Sequence, residues 1–107
     1  MNEITFYRRF VDDICAGRKT ITLRLPAEAA ACPVGSSVLA YTHEEHRLFA
    51  RLQIESVETV HLHELNGQHA GQENMTLPQL IKLIGEIYPN HTEFAAIRFT
   101  ARAVQAA

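Results

Sequence analysis

The sequence predicts an α+β domain, a small mixed, barrel-like sheet with two main helices packed on it. Three features of its 107 residues carry this expectation. Leu48 to Glu58 alternates apolar and polar side chains with the period of a half-buried strand. Tyr7 to Ala16 and the segment opening at Thr76 space their apolar residues as a helix face does. Predicted strands outnumber helices, and the helices lie between them without the regular alternation of βαβ units.

The first predicted element is the helix Tyr7 to Ala16. Phe10 and Ile14, flanked by Val11 and Cys15, form its apolar stripe, while Arg8, Arg9, Asp12 and Asp13 face water. Gly17 stands where helices commonly end in a left-handed residue. Thr20 to Leu25 reads as a strand, with Ile21, Leu23 and Leu25 on one face and Thr20, Thr22 and Arg24 on the other. Pro26 stops it, and residues 26–35 form a loop. Ser36 to Thr42 is a second strand, with a turn at residues 43–45. In the third, Leu48, Ala50, Leu52 and Ile54 are expected inside, and Phe49, Arg51, Gln53 and Glu55 outside. A weakly helical polar segment, Leu62 to Ala70, follows. Thr76 and Gln79 have capping-box spacing, so a helix begins there, with Leu77, Leu80, Ile81, Ile84 and Ile87 as its core stripe and Pro89 as its stop. Glu93 to Ala103 is the last strand.

The length suits one domain, expected over residues 1–107, with a core that needs no staples. Hydrophobic residues make up 47% and charged residues 21%, as in a globular protein. Ten Lys and Arg stand against twelve Asp and Glu, a formal net charge of -2. That balance argues against a protein living on nucleic-acid backbones, which are gripped by many cations. Cys15 and Cys32 have no CxxC or partner cluster and read as reduced thiols. MNEITFYRRF lacks the apolar stretch of a signal peptide, and no apolar run approaches the roughly 18–20 residues that span a bilayer. The expectation is a cytoplasmic monomer with no membrane contact.

The segment richest in chemistry is Gly17-Arg18-Lys19-Thr20-Ile21-Thr22-Leu23-Arg24, which sets three cations and two hydroxyls at a helix-to-strand turn. Lys19 at the bend can reach across the face that carries Thr22 and Arg24. A solvated basic turn that complements the helix C-terminal dipole explains the same residues. Glu73 in Gln72-Glu73-Asn74-Met75-Thr76 fits a carboxylate stabilised at the start of a helix. Sequence spacing alone does not bring it to Lys19. His61 and His63, with His69 or Glu73, allow a metal reading, but HExxH and the Cys/His spacing of zinc sites are missing. Phe6, Tyr7 and Phe49 suit either base stacking or the core.

Three blocks in order, ITFYRRFVDDICAGRKTITLR, HAGQENMTLPQL and IYPNHTEFAAIRF, resemble the small ASCH-domain proteins, specifically the bacterial N(4)-acetylcytidine amidohydrolases. The resemblance runs from about Ile4 to Phe99. It implies a PUA-like barrel and hydrolysis of the amide that joins acetate to the exocyclic amine of cytidine. In that family the Lys and second Thr of GRKTIT and the Glu of QENMT are catalytic, and they fall on Lys19, Thr22 and Glu73. Broader ASCH domains carry Gly-x-Lys-x-x-Glu-x-Arg; Thr22 stands here where that Glu would be, as in the amidohydrolase subgroup.

What the resemblance implies is chemically coherent. Thr22 would be the nucleophile, Lys19 its base, Glu73 the proton donor to the leaving amine, and Arg24 a substrate-binding group that orients Glu73 or the oxyanion. Neither metal nor other cofactor is expected. Lys19 acts only when neutral, and burial with the charges of Arg18 and Arg24 pushes it that way. Bringing its pKa from about 10.4 to about 7 takes nearly 5 kcal/mol, at about 1.36 kcal/mol per pH unit. The competing reading is an RNA-binding PUA-like module, or a ribonuclease, using the same cleft. The partner expected is a small modified nucleoside, with RNA not favoured.

Overall fold

The computed structural model describes residues 2–104. Five strands, β1 (Glu3–Phe6), β2 (Ile21–Arg24), β3 (Ser37–Thr42), β4 (Leu48–His61) and β5 (Glu93–Ala103), form one sheet in the order β1-β3-β4-β5-β2. β1 pairs parallel with β3, and the other pairs are antiparallel. Helices α1 (Val11–Cys15), α2 (Gly67–Gln72) and α3 (Leu77–Ile87) fill the connections. Among the described residues no helix is long and apolar enough to cross a membrane.

β1 and β2 are the two sheet edges, and no ladder joins them. One side chain bridges the gap: Arg24 on β2 donates from an Nη to the Thr5 carbonyl on β1, 2.6 Å away. The sheet therefore curls towards a barrel and stops short of closure. The opening between its edges becomes a cavity.

Several elements lie where the sequence places them. β5 has its expected bounds, and α3 opens with the Thr76–Gln79 capping box. Gly17 is left-handed at φ +79°. Four expectations need correction. Residues 3–6 form a strand that was not expected, because four residues are too few to show a period. The helix expected over Tyr7 to Ala16 is a 3-10 turn at Arg8–Phe10 followed by the five residues of α1. Phe49 is buried and Leu48 exposed, the reverse of strict alternation. A register shift between Ala40 and Tyr41 puts Leu48 opposite Tyr41 and Ala50 opposite Ala40, and Phe49 between them turns inward onto Phe6. On α3, Ile81 is exposed while Leu80 and Ile84 are buried, so the apolar stripe is narrower than its composition.

Two clusters share the interior. One gathers Ile14, Val38, Leu52, Ile54, Ile97 and Phe99 under α1. The other gathers Leu23, Val60, Leu65, Leu80, Ile84 and Phe94 under α2 and α3. Fully burying a side chain of this size contributes about 1.5–3 kcal/mol. Phe6 from the first cluster and Leu23 and Ile84 from the second line the cavity.

Candidate active site

Lys19 is turned inward by the backbone that precedes it. After Gly17 reverses the chain, the N–H groups of Arg18 and Lys19 both donate to the Asp13 carbonyl, at 2.8 and 3.0 Å. Arg18 swings out to pair with Asp13 at 2.9 Å, while Lys19 goes in and is only 4% exposed. The solvated-turn reading thus holds for Arg18 and fails for Lys19. Lys19 Nζ donates to the Ile21 carbonyl at 3.0 Å and lies 5.1 Å from the centre of the Phe10 ring.

Glu73 arrives from the other side of the fold. The Thr20 N–H donates to the Gln72 carbonyl at 2.7 Å and rivets the two segments together. Glu73 closes α2, its N–H donating to His69 and Ala70, and left-handed Asn74 (φ +57°) leads the chain away. Its carboxylate points into the interior, 3% exposed, and forms an ion pair with Lys19. Apart from that contact, Glu73 Oε1 has no hydrogen-bond partner among the described residues. The helix-start reading of Glu73 is overturned, since the α3 cap belongs to Thr76 and Gln79.

Thr22 and Arg24 face the same cavity from β2. Arg24 Nε donates to Thr22 Oγ1 at 3.1 Å and so holds the hydroxyl. Its guanidinium carbon also sits 4.9 Å from the centre of the Phe6 ring. Burial first, and then the Arg24 charge, lower the Lys19 pKa from 10.5 to about 7, with Asp13 pulling the other way. Arg18, expected to contribute, instead turns outward to Asp13 and leaves this role to Arg24.

The cavity, about 280 Å³, is also lined by Tyr7, His43, Glu28 and Tyr88. Tyr88 donates its hydroxyl to Glu28 Oε1 at 2.8 Å, and burial with that bond raises the Tyr88 pKa to about 12. Neither Glu28 nor Tyr88 was singled out from sequence. Their only signal was position, in the loop after Arg24 and in the IYPN block. Of the aromatics weighed for stacking, Phe6 and Tyr7 line the cavity, and Phe49 belongs to the core. His61 and His63 stack on each other with centroids 5.8 Å apart, and no group of three metal-ligating side chains forms among the described residues.

A protein of Pasteurella multocida (strain Pm70) called N(4)-acetylcytidine amidohydrolase is 48% identical over 99 residues, covering 92% of this chain and 93% of its own. The chain belongs to the N(4)-acetylcytidine amidohydrolase family. Another member, from Escherichia coli (strain SMS-3-5 / SECEC), is 45% identical over 98 residues, covering 92% of this chain and 94% of its own. No protein-family model matches the chain. The fold of this family member is that of ASCH domains. The crystal structure of one from Lactobacillus crispatus JV V101 superposes with a TM-score of 0.75 at 12% identity, covering 94% of this chain and 79% of its own. ASCH from Zymomonas mobilis gives 0.72 at 13% identity, covering 95% and 68%.

Proposed function

We propose that this protein hydrolyses the amide between the acetyl group and the exocyclic amine of N(4)-acetylcytidine, giving cytidine and acetate without a metal ion. The observation that carries the reading is the buried Lys19–Glu73 pair, in one cavity with an arginine-held Thr22. The names of relatives at 45–48% identity support the substrate.

Lys19 and Glu73 lie side by side at the inner end of the cavity. With Lys19 neutral and Glu73 protonated, the pair is an amine and a carboxylic acid, a base and an acid ready together. The lowered Lys19 pKa favours that arrangement. Thr22 Oγ then bonds to the acetyl carbon while its proton passes to Lys19, and the carbonyl electron pair moves to oxygen beside the Arg24 charge. The intermediate collapses, the C–N bond breaks, and Glu73 delivers its proton to the departing amine. Lys19 is now an ammonium and Glu73 a carboxylate. Passing the proton back to Glu73 restores the base, which takes a proton from water as water attacks the acetyl-threonine ester. Acetate leaves and Thr22 regains its proton. Lys19 Nζ bonds Ile21 in the free protein, and catalytic hydrogen bonds often form only with substrate present.

The test is release of cytidine and acetate by purified protein in EDTA, beside Thr22→Ala and Lys19→Ala. Release by wild type that is lost in folded variants is the expected result. No release from any acetylated cytosine compound, with RNA binding that weakens steeply with salt, would move the reading to an RNA-binding module.

A further inference from the structure

Glu28 opens the 3-10 turn Glu28–Ala31 in the loop after β2. The Leu25 N–H and the Tyr88 hydroxyl both donate to its Oε1, at 3.0 and 2.8 Å. The carboxylate is therefore held from two directions by one oxygen, and Oε2 keeps its acceptor sites for a ligand. Glu28 lines the same cavity as Thr22, and its charge acts on Arg24.

The cavity has a direction. Lys19, Thr22 and Glu73 are each at most 4% exposed, whereas Glu28 is exposed and Tyr88 half-buried. The reacting end is deep, and Glu28, with Tyr7 and His43, lies at the mouth. In a cytosine ring the exocyclic amine leaves from C4, and N1, which bears the sugar, lies directly across the ring. A base with its acetyl amide at Thr22 and Lys19 carries whatever is attached to N1 towards the mouth. A fixed carboxylate there is an acceptor for vicinal hydroxyls, the role acidic residues take on ribose in dinucleotide sites.

Resting on the proposed reaction, we infer that Glu28, positioned by Tyr88, accepts hydrogen bonds from the sugar hydroxyls of the substrate and makes a ribonucleoside a better substrate than the free base. Tyr88 is a positioning residue and Glu28 a specificity-determining one. A purely structural tie between loop and helix would affect all substrates alike, so the measurement is a ratio.

The experiment compares kcat/KM for N(4)-acetylcytidine, its 2′,3′-dideoxy form and N(4)-acetylcytosine, in wild type, Glu28→Gln and Tyr88→Phe. Wild type is expected to prefer the ribonucleoside. In Glu28→Gln that preference shrinks roughly tenfold or more, the size of a lost hydrogen bond to a charged group, and the change lies in KM. Tyr88→Phe shifts the ratio the same way by less, because Leu25 still holds Oε1. The dideoxy form loses as much in wild type as Glu28→Gln loses on the ribonucleoside, with no further loss when both changes are combined. Equal loss on all three substrates, or an unchanged ratio, overturns the inference and leaves the reaction standing. Hydrolysis of none by wild type overturns the reaction itself, and the inference with it.

Discussion

Lys19 Nζ and the Glu73 carboxylate form an ion pair whose side chains are 4% and 3% exposed, at the inner end of a cavity. Removing one partner of a buried pair leaves the other charge stranded, at a cost of about 3–5 kcal/mol. Lys19→Met and Glu73→Leu should each lose stability on that scale in urea titrations, and the double variant should recover most of it. Activity separates from stability here. Each single variant should lose about 100- to 10,000-fold in turnover, as expected for a general acid or base, and the double variant should fold and remain inactive. A double variant no more stable than the singles would show that the pair is not energetically coupled.

Because burial and Arg24 lower Lys19 to about 7, kcat/KM should rise with pH through that value, as the amine loses its proton. The stability consequence has the same sign. The unfolded chain keeps lysine near 10.5, so between about 7 and 10.5 it holds a proton that the folded chain does not. The Lys19 contribution therefore makes stability rise with pH across that window, and its full penalty is present below about 7. Lys19→Met should flatten this rise, read from urea midpoints across the window.

Much of the fold is legible in the sequence where one face of an element is buried. The capping box at Thr76 and the breaker at Pro89 frame α3, and β5 needs no adjustment. The rest depends on contacts between distant segments. β1 has four residues and is a strand only because β3 lies beside it. The inward turn of Phe49 requires the register shift at Ala40. In the site, Lys19, Thr22 and Glu73 are named by motif, but their meeting depends on the Thr20–Gln72 backbone bond, which no pattern encodes. Arg24 shares the Thr22 face as strand alternation predicts, yet only the curled sheet explains why it reaches Thr5. Glu28, an exposed carboxylate in a loop, carries no periodic signal, and Tyr88, at the end of α3, reads in sequence only as part of the helix's exit.

Gly17 makes the turn that sends Arg18 out and Lys19 in. At φ +79° a β-branched residue is strained, and a left-handed L residue costs roughly 1–2 kcal/mol. A Cβ there meets nothing within 4 Å, so the penalty is conformational rather than steric contact. Gly17→Val should lower the urea midpoint accordingly, while Gly17→Asn should cost less, since asparagine tolerates this region. Equal losses would point to a different cause.

Arg24 has two tasks that two substitutions separate. Its charge helps keep Lys19 low, and its Nε and Nη reach Thr22 and Thr5 together. Arg24→Gln removes the charge, so the acid limb of the pH–rate profile should move to higher pH. Arg24→Lys keeps a charge but lacks the fork that serves both oxygens. Its limb should stay near the wild-type position while the plateau falls roughly tenfold to a hundredfold, as for one lost charge-assisted hydrogen bond. Identical profiles for the two variants would count against this division.

Thr22 is the residue whose chemistry can be isolated most cleanly. Valine has the shape of threonine without the hydroxyl, so Thr22→Val removes the nucleophile and leaves Arg24 Nε without its acceptor. Turnover should vanish. Some stability should go with it, about 1–3 kcal/mol for an unsatisfied buried donor. Serine keeps the hydroxyl and frees its rotation, because the methyl group that restricts χ1 is gone. Thr22→Ser should therefore keep measurable activity with a reduced kcat. Rapid quenching of wild type or Thr22→Ser with substrate should reveal an acetyl adduct on residue 22 by peptide mass analysis. Turnover by Thr22→Val, or an adduct on Lys19 in its place, would assign the attack to the amine and make Thr22 a binding residue.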